Sequence, residues 1–171
     1  AAVYLVMVAW SLPRLSQLAD AAGLADPRMF DLRPEGFDFS TTRALLAALG
    51  DEGRAFYRIV QQRLDTVFPP LYGMVLAIGL NHAGLRLGLR RPVVLAAAAL
   101  LGAGVAGFDL VENALVARLL VAGPDGITEA GVAWASGFSR AKAAITAVTW
   151  TLLISLYLAL AWRRYRSRRG G

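Results

Sequence analysis

The sequence predicts an all-α fold: a polytopic transmembrane four-helix bundle with an extracytoplasmic amphipathic helical hairpin between its first and second helices. Three observations carry this. Hydrophobic residues make up 57% of the 171-residue chain, mean hydropathy is +0.51, and the apolar residues fall in long blocks. Arginines gather just beyond the ends of those blocks. Within them, small residues recur at helical spacing, as they do where membrane helices pack closely. The whole chain reads as one integral membrane domain.

The first segment, residues 1–12, ends near Trp10 and Pro13 and is short of the ~20 residues a span needs. It is expected either to begin upstream of Ala1 or to continue through Leu15, Leu18 and Ala22. Ala19-Asp20-Ala21 resembles a signal-peptide cleavage site, but no basic region precedes the apolar stretch. The second span covers 67–87, with Pro69-Pro70 in its first turn, where missing amide donors cost least. The third covers 92–121 and the fourth 134–162. Trp10, Trp134 and Trp162 fall near span ends, as an aromatic belt places them. Trp150 falls mid-helix and is assigned to packing.

The connection between the first two spans is too long to be structureless. Residues 38–66 form the hairpin. Ser40 caps a short helix carrying Leu45, Leu46 and Leu49. Gly50-Asp51-Glu52-Gly53 turns, and a second helix puts Phe56, Ile59, Val60, Leu64 and Val67 on one stripe, with Arg54, Arg58, Gln61 and Gln62 largely off it.

Loop charges set the orientation. Arg86, Arg90 and Arg91 sit between the second and third spans without an acid, and Asp125 and Glu129 sit between the third and fourth without a base. The tail, 163–171, holds five of the chain's 17 arginines. The positive-inside rule then gives a multi-pass membrane protein, N-in and C-in, with residues 13–66 extracytoplasmic. The same placement makes the tail an anchor for anionic membrane lipid rather than for nucleic acid.

There is no cysteine, which excludes disulfides, thiolate metal sites and cysteine nucleophiles. A lone histidine, His82, excludes a multi-histidine zinc site, and no metal ligand set is expected. His82 reads as interfacial; the competing role is an axial ligand to heme or chlorophyll. The run Gly102-Ala103-Gly104-Val105-Ala106-Gly107 matches G-x-G-x-x-G, but no strand precedes it, so a dinucleotide site is rejected. Close helix packing explains it better, with Ala99, Ala103 and Gly107 as one small-residue row and Gly73/Ala77 and Gly79/Ala83 as others.

The stretch 108–116 puts Asp109, Glu112 and Asn113 inside the third span. A central acid there costs roughly 2.5–3.5 kcal/mol on insertion scales, so it demands a partner, water or a ligand. The spacing i, i+3, i+4 places all three on one face. At ~1.5 Å per residue from Val121, Asp109 lies ~18 Å deep and Glu112 ~13 Å. On the fourth span Ser139, Lys142, Thr146 and Thr149 form a second polar stripe, and Lys142 reaches a similar depth. A Lys142–Glu112 or Lys142–Asp109 pair is therefore expected. Asp65 sits at the outward entrance, with Tyr72 on the same face two turns further in.

Two carboxylates against one lysine leave a negative charge over, and neighbouring carboxylates in low dielectric share a proton. Asp109 and Glu112 are the candidate catalytic acids. Asn113, Lys142, Tyr72, Asp65 and Thr146 are the candidate ligand-binding residues. No cofactor is named by the sequence.

Ala48-Leu49-Gly50-Asp51-Glu52-Gly53-Arg54-Ala55-Phe56-Tyr57, then Asp65 with Phe68-Pro69-Pro70-Leu71-Tyr72-Gly73, then Phe108-Asp109 with Glu112-Asn113, resembles a group of uncharacterised bacterial four-helix inner-membrane proteins. Lys142 fits the polar position of that group's last helix. The resemblance implies a four-helix bundle with a hairpin outside, and carries no activity. The sterol isomerase and sigma-2 receptor group, four-helix proteins with intramembrane acids, is similar at the level of fold alone.

Two functions are expected from these residues. One is an outward-facing small-molecule or lipid site, with general acid–base chemistry on Asp109 and Glu112. The other is a non-catalytic accessory subunit of a larger respiratory or photosynthetic membrane complex, or of a homo-oligomer. There the small-residue rows would be docking faces and the acids internal glue.

Overall fold

The computed structural model describes residues 2–169; it is 88% helix, with no strand among the described residues. Four helices account for it: α1 (Ala2–Ala21), α2 (Phe39–Arg86), α3 (Arg91–Gly126) and α4 (Glu129–Arg169). Each is long and apolar enough to cross a membrane. α1 continues through Pro13 and Leu15 to Ala21, past the first apolar block. α4 starts five residues earlier than the composition suggested and runs on through the arginine cluster.

The chain divides into two compact units. Unit 1 holds the residues up to Pro69 together with Phe108–Ala143. Unit 2 holds Pro70–Gly107 together with the residues from Ala144 onward.

In unit 1, α1 passes through Pro13 by opening a π turn at Met7–Ser11. Proline offers no amide hydrogen to the carbonyl of Ala9 and crowds it, and a wider turn just upstream relieves the crowding. α2 is capped by Asp38, whose carboxylate accepts from the Thr41 amide at 2.7 Å. Ser40, the cap expected from sequence, donates its hydroxyl to Asp38 instead. At Gly50 the backbone leaves helical geometry, with φ 60°, a conformation costly for any side chain with a Cβ. Beyond that break α2 does not restart at residue 67. It runs through Pro69-Pro70 to Arg86, with a second π turn at Tyr57–Gln61. The two π turns pack against each other.

The buried face of this part of α2 reverses the expected stripe. Gly53, Tyr57, Gln61, Asp65 and Pro69 point inward, while Ile59 and Val67 are exposed. Polar groups can turn inward here because each finds a protein partner: Tyr57 bonds to Asp31, Gln61 to Asp65, and the Asp65 carbonyl to Asn113. A spacing of four also drifts about 40° per step on an α-helix, and the wider π turn takes some of that drift back.

Around this face the apolar core of unit 1 gathers Leu15 and Ala19 from α1, Leu45 and Leu46 from α2, Val116 from α3 and Val132 from α4. The 22–38 connection contributes Met29 and Phe30, both fully buried, with the Phe30 ring stacked on Tyr57 at 6.2 Å.

Unit 2 is built differently. α2 and α3 meet backbone to backbone where Gly73 lies on Gly102. A Cβ at Gly102 would stand 2.5 Å from the Gly73 carbonyl oxygen and 2.9 Å from the Ala77 Cβ. The α3 row in use is Gly102/Ala106, one residue out of phase with the expected Ala99/Ala103/Gly107, and Gly107 faces open space. Gly104 instead receives Ile145, and Gly79 receives Leu153, both from α4. Glycines of the G-x-G-x-x-G match thus serve helix contact. Most large side chains of unit 2, among them Met74, Val75, Ile78, Leu100, Val148 and Leu158, are exposed, the surface expected of helices in lipid.

Candidate functional site

The site is built on three elements of unit 1. α3 supplies Asp109, Glu112 and Asn113, α4 supplies Ser139 and Lys142, and α2 supplies Tyr57, Gln61 and Asp65.

Lys142 answers both acids. Its ammonium lies 3.5 Å from Asp109 Oδ1 and forms an ion pair with Glu112 Oε2. Glu112 Oε1 accepts the hydroxyl of Ser139. The Glu112 side chain is 1% exposed, whereas Lys142 retains 19% and Asp109 17%. Glu112 is therefore the closed end of the triad, and Asp109 with Lys142 its accessible edge.

Asn113 faces the other way around the helix, to α2. Its amide donates to the backbone carbonyl of Asp65 at 2.9 Å. That carbonyl would have received the amide hydrogen of residue 69 in an ordinary helix. Pro69 has none, and Asn113 replaces it. The Asp65 carboxylate accepts from Gln61 Nε2 at 2.8 Å, one turn upstream. Tyr57, a further turn away and fully buried, donates its hydroxyl to Asp31 Oδ2 at 2.7 Å.

Asp65, 5% exposed, lies within electrostatic reach of Asp109 and Lys142, and Asp31 acts on all four charged groups. Asp109 and Glu112 thus share one ammonium, with Asp65 a third carboxylate nearby. Two amide oxygens on the same network, Gln61 Oε1 and Asn113 Oδ1, are buried and have no hydrogen-bond partner.

Of the residues singled out from sequence, Asp109, Glu112, Asn113, Lys142 and Asp65 come together in this network. Tyr72 and Thr146 belong to unit 2. The Tyr72 hydroxyl accepts from the indole N–H of Trp150, so this mid-helix tryptophan carries a polar bond as well as packing. Thr146 is half-buried one turn beyond Lys142. His82 is exposed and stacked on Tyr157 at 6.3 Å.

Sequence reasoning missed Asp31, Tyr57 and Gln61. A signal was present, since Tyr57 and Gln61 precede Asp65 at steps of four. It was masked by scoring that helix for its apolar stripe rather than its polar one.

The loop over this region is braced by its own charges. Asp26 pairs with Arg28 at 3.0 Å and with the buried Arg33 at 2.9 Å. The Arg28 guanidinium bonded to it, with Arg33 adding, holds the Asp26 carboxyl down at about 2. The loop then seats Phe37 on α4, its amide donating to Ser136 Oγ at 2.9 Å. A cavity of about 640 Å³ opens there, bordered by Arg33, Phe37, Thr41, Glu129, Ser136 and Arg140; Asp109 and Glu112 are not part of its lining.

No group of three or more His, Cys, Asp or Glu side chains among the described residues is arranged to hold a metal ion. No family model matches the chain, and no curated protein or solved structure matches it.

Proposed function

We propose that the Asp109–Glu112–Lys142 triad, extended by Asn113 and Asp65, is a binding site for a hydroxylated or cationic small molecule or lipid, reached from the outer leaflet. The topology that goes with this reading is a four-helix bundle in the bacterial inner membrane, N-in and C-in. In it the helical segments on either side of Gly50 form an extracytoplasmic cover.

One observation carries the reading: two carboxylates face one ammonium, and the buried amide oxygens of Gln61 and Asn113, both bonded into this network through their nitrogens, have no donor, while Gln62 Nε2 on the same helix is a buried donor without an acceptor. A site with surplus negative charge and spare acceptors is complementary to a donor. An O–H or an N–H⁺ group of a ligand satisfies both. Asp109 has the exposure to receive such a group, while Glu112, shut in by Ser139 and Lys142, fixes where Lys142 points. A proton held among these acids would also equip the site for general acid–base chemistry on a bound hydroxyl, with Asp109 the group that meets the ligand. Asn113 and Asp65 line its α2 side.

Native mass spectrometry of gently extracted protein tests the idea. The wild type is expected to carry a co-purifying small molecule or lipid that Asp109→Asn loses, with helix content and melting unchanged. Retention of the same adduct by the variant, with only stability altered, would make the cluster internal glue.

A further inference from the structure

Unit 2 contains no acidic residue and eight arginines, while all twelve acids of the chain lie in unit 1. Three of those arginines converge on one place. A cavity of about 220 Å³ is lined by Arg86 near the end of α2 and by Leu160, Arg163, Arg164 and Ser167 of α4. Arg163 also donates to the backbone carbonyl of Leu87 at 3.4 Å, which ties this stretch of α4 to the end of α2. Because the unit has no Asp or Glu, no acidic side chain within it neutralises these guanidiniums.

A second cavity in the same unit has the opposite character. About 130 Å³ in volume, it is lined by Leu80, Gly84, Val94, Ala97, Leu152 and Leu156, with further aliphatic residues around them. It shares α2 and α4 with the basic cavity. On α4, Leu156 and Leu160 are one turn apart, about 6 Å along the axis, and on α2, Gly84 and Arg86 are about 3 Å apart. The two cavities share no lining residue, but they lie at adjoining levels of α2 and α4, the basic one nearer the helix termini.

We propose that these two cavities together bind one anionic phospholipid. Its phosphate sits among Arg86, Arg163 and Arg164, and part of one acyl chain lies in the Leu80–Leu156 cleft. Guanidinium forks match phosphate oxygens in pairs, and basic pockets between membrane helices on the cytoplasmic side suit such headgroups. The proposal differs from a diffuse attraction of the Arg-rich tail in two respects. Arg86 comes from a different helix, seventy-seven positions before Arg163, and at the adjoining level lies an apolar cleft that a soluble phosphate would not use.

The test is native mass spectrometry of the full chain in detergent, with added dioleoyl phosphatidylglycerol or dioleoyl phosphatidylcholine and, separately, glycerol 3-phosphate. Phosphatidylglycerol is expected to be retained about tenfold more than phosphatidylcholine. Arg86→Gln with Arg164→Gln should erase that preference, while Arg168→Gln with Arg169→Gln, outside the pocket, should leave it. Ala97→Phe, which fills the cleft without touching a charge, should lower phosphatidylglycerol retention and leave glycerol 3-phosphate binding unchanged. Circular dichroism checks that each variant keeps its helices; one that does not is replaced by Arg86→Met with Arg164→Met, which removes the charge and keeps an apolar stem, or by Ala97→Leu. Equal retention of the two lipids, or equal effects of the pocket and tail pairs, would overturn the proposal. Full indifference to Ala97→Phe would reduce the site to a surface phosphate contact and would also overturn it.

Discussion

Unit 1 and unit 2 solve the same problem, packing helices of similar apolarity, with different chemistry. Unit 1 buries Gln61, Asp65, Glu112, Asn113 and Ser139 and bonds them to one another, with the Gln61 and Asn113 amide oxygens left without a donor. Unit 2 buries almost no polar side chain and brings α2 onto α3 through Gly73 and Gly102. Apolar shape alone is permissive, because lipid tails are as good a neighbour as leucine. Directed hydrogen bonds and ion pairs are not permissive: each partner is nearly irreplaceable once the group is out of water. The difference therefore predicts where substitution should hurt. In unit 1 it should depend on which partner is left behind, and in unit 2 on volume and charge.

The largest effect belongs to the ion pair. Lys142→Met alone strands the buried Glu112 carboxylate and is expected to cost about 3–5 kcal/mol of stability; Glu112→Gln should cost less, because Asp109 still faces Lys142. The double variant should recover most of that loss, because it removes both charges together. Denaturation in mixed micelles measures the cycle. Simple additivity of the two single losses would mean that Lys142 is not held chiefly by Glu112.

A smaller effect isolates the link between α3 and α2. Asn113→Ala leaves the Asp65 carbonyl without a donor and should cost about 1–3 kcal/mol. In a Pro69→Ala background the residue 69 amide can bond that carbonyl itself, so the same Asn113→Ala change should cost much less. The coupling between positions 113 and 69, 44 residues apart in sequence, would then be positive. An unchanged cost in the Pro69→Ala background would show that Asn113 matters for a different contact.

These two links mark how far the sequence could be read. The Lys142 pairing was legible because a lysine and two acids are rare in apolar segments, and rise per residue put them at one depth. The Asn113 bond was half legible, since Pro69 announces an orphan carbonyl but does not name its donor. Tyr57 and Gln61 were illegible from an apolar stripe, because in this helix the polar face is the inner one. The small-residue row of α3 was placed one residue out of phase, since Ala and Gly fill both rows of that stretch and only the contact with Gly73 separates them. Asp31 lies in a connection whose course depends on Met29 and Phe30 entering the core, a long-range choice with no local period.

The smallest effect separates the exposed charges of unit 1 from its buried ones. Asp26 is held at about 2, below its ordinary 3.8, by Arg28 and Arg33. A depressed carboxyl contributes stability above its unfolded value and loses that contribution as pH falls through the folded value. Protonation then leaves Arg33, buried beneath it, with only the backbone carbonyls of Asp26 and Arg28. The difference in melting temperature between the wild type and Asp26→Asn should be constant from neutral pH to about 4 and should vanish toward about 2. Because Asp26 itself is exposed, added salt at neutral pH should shrink the difference too. The Glu112–Lys142 cycle should respond far less to salt, because Glu112 is shut away from the solvent that screens Asp26. Equal salt sensitivity of the two would show that the triad is as wet as the loop, and the contrast between bonded interior and braced exterior in unit 1 would fall.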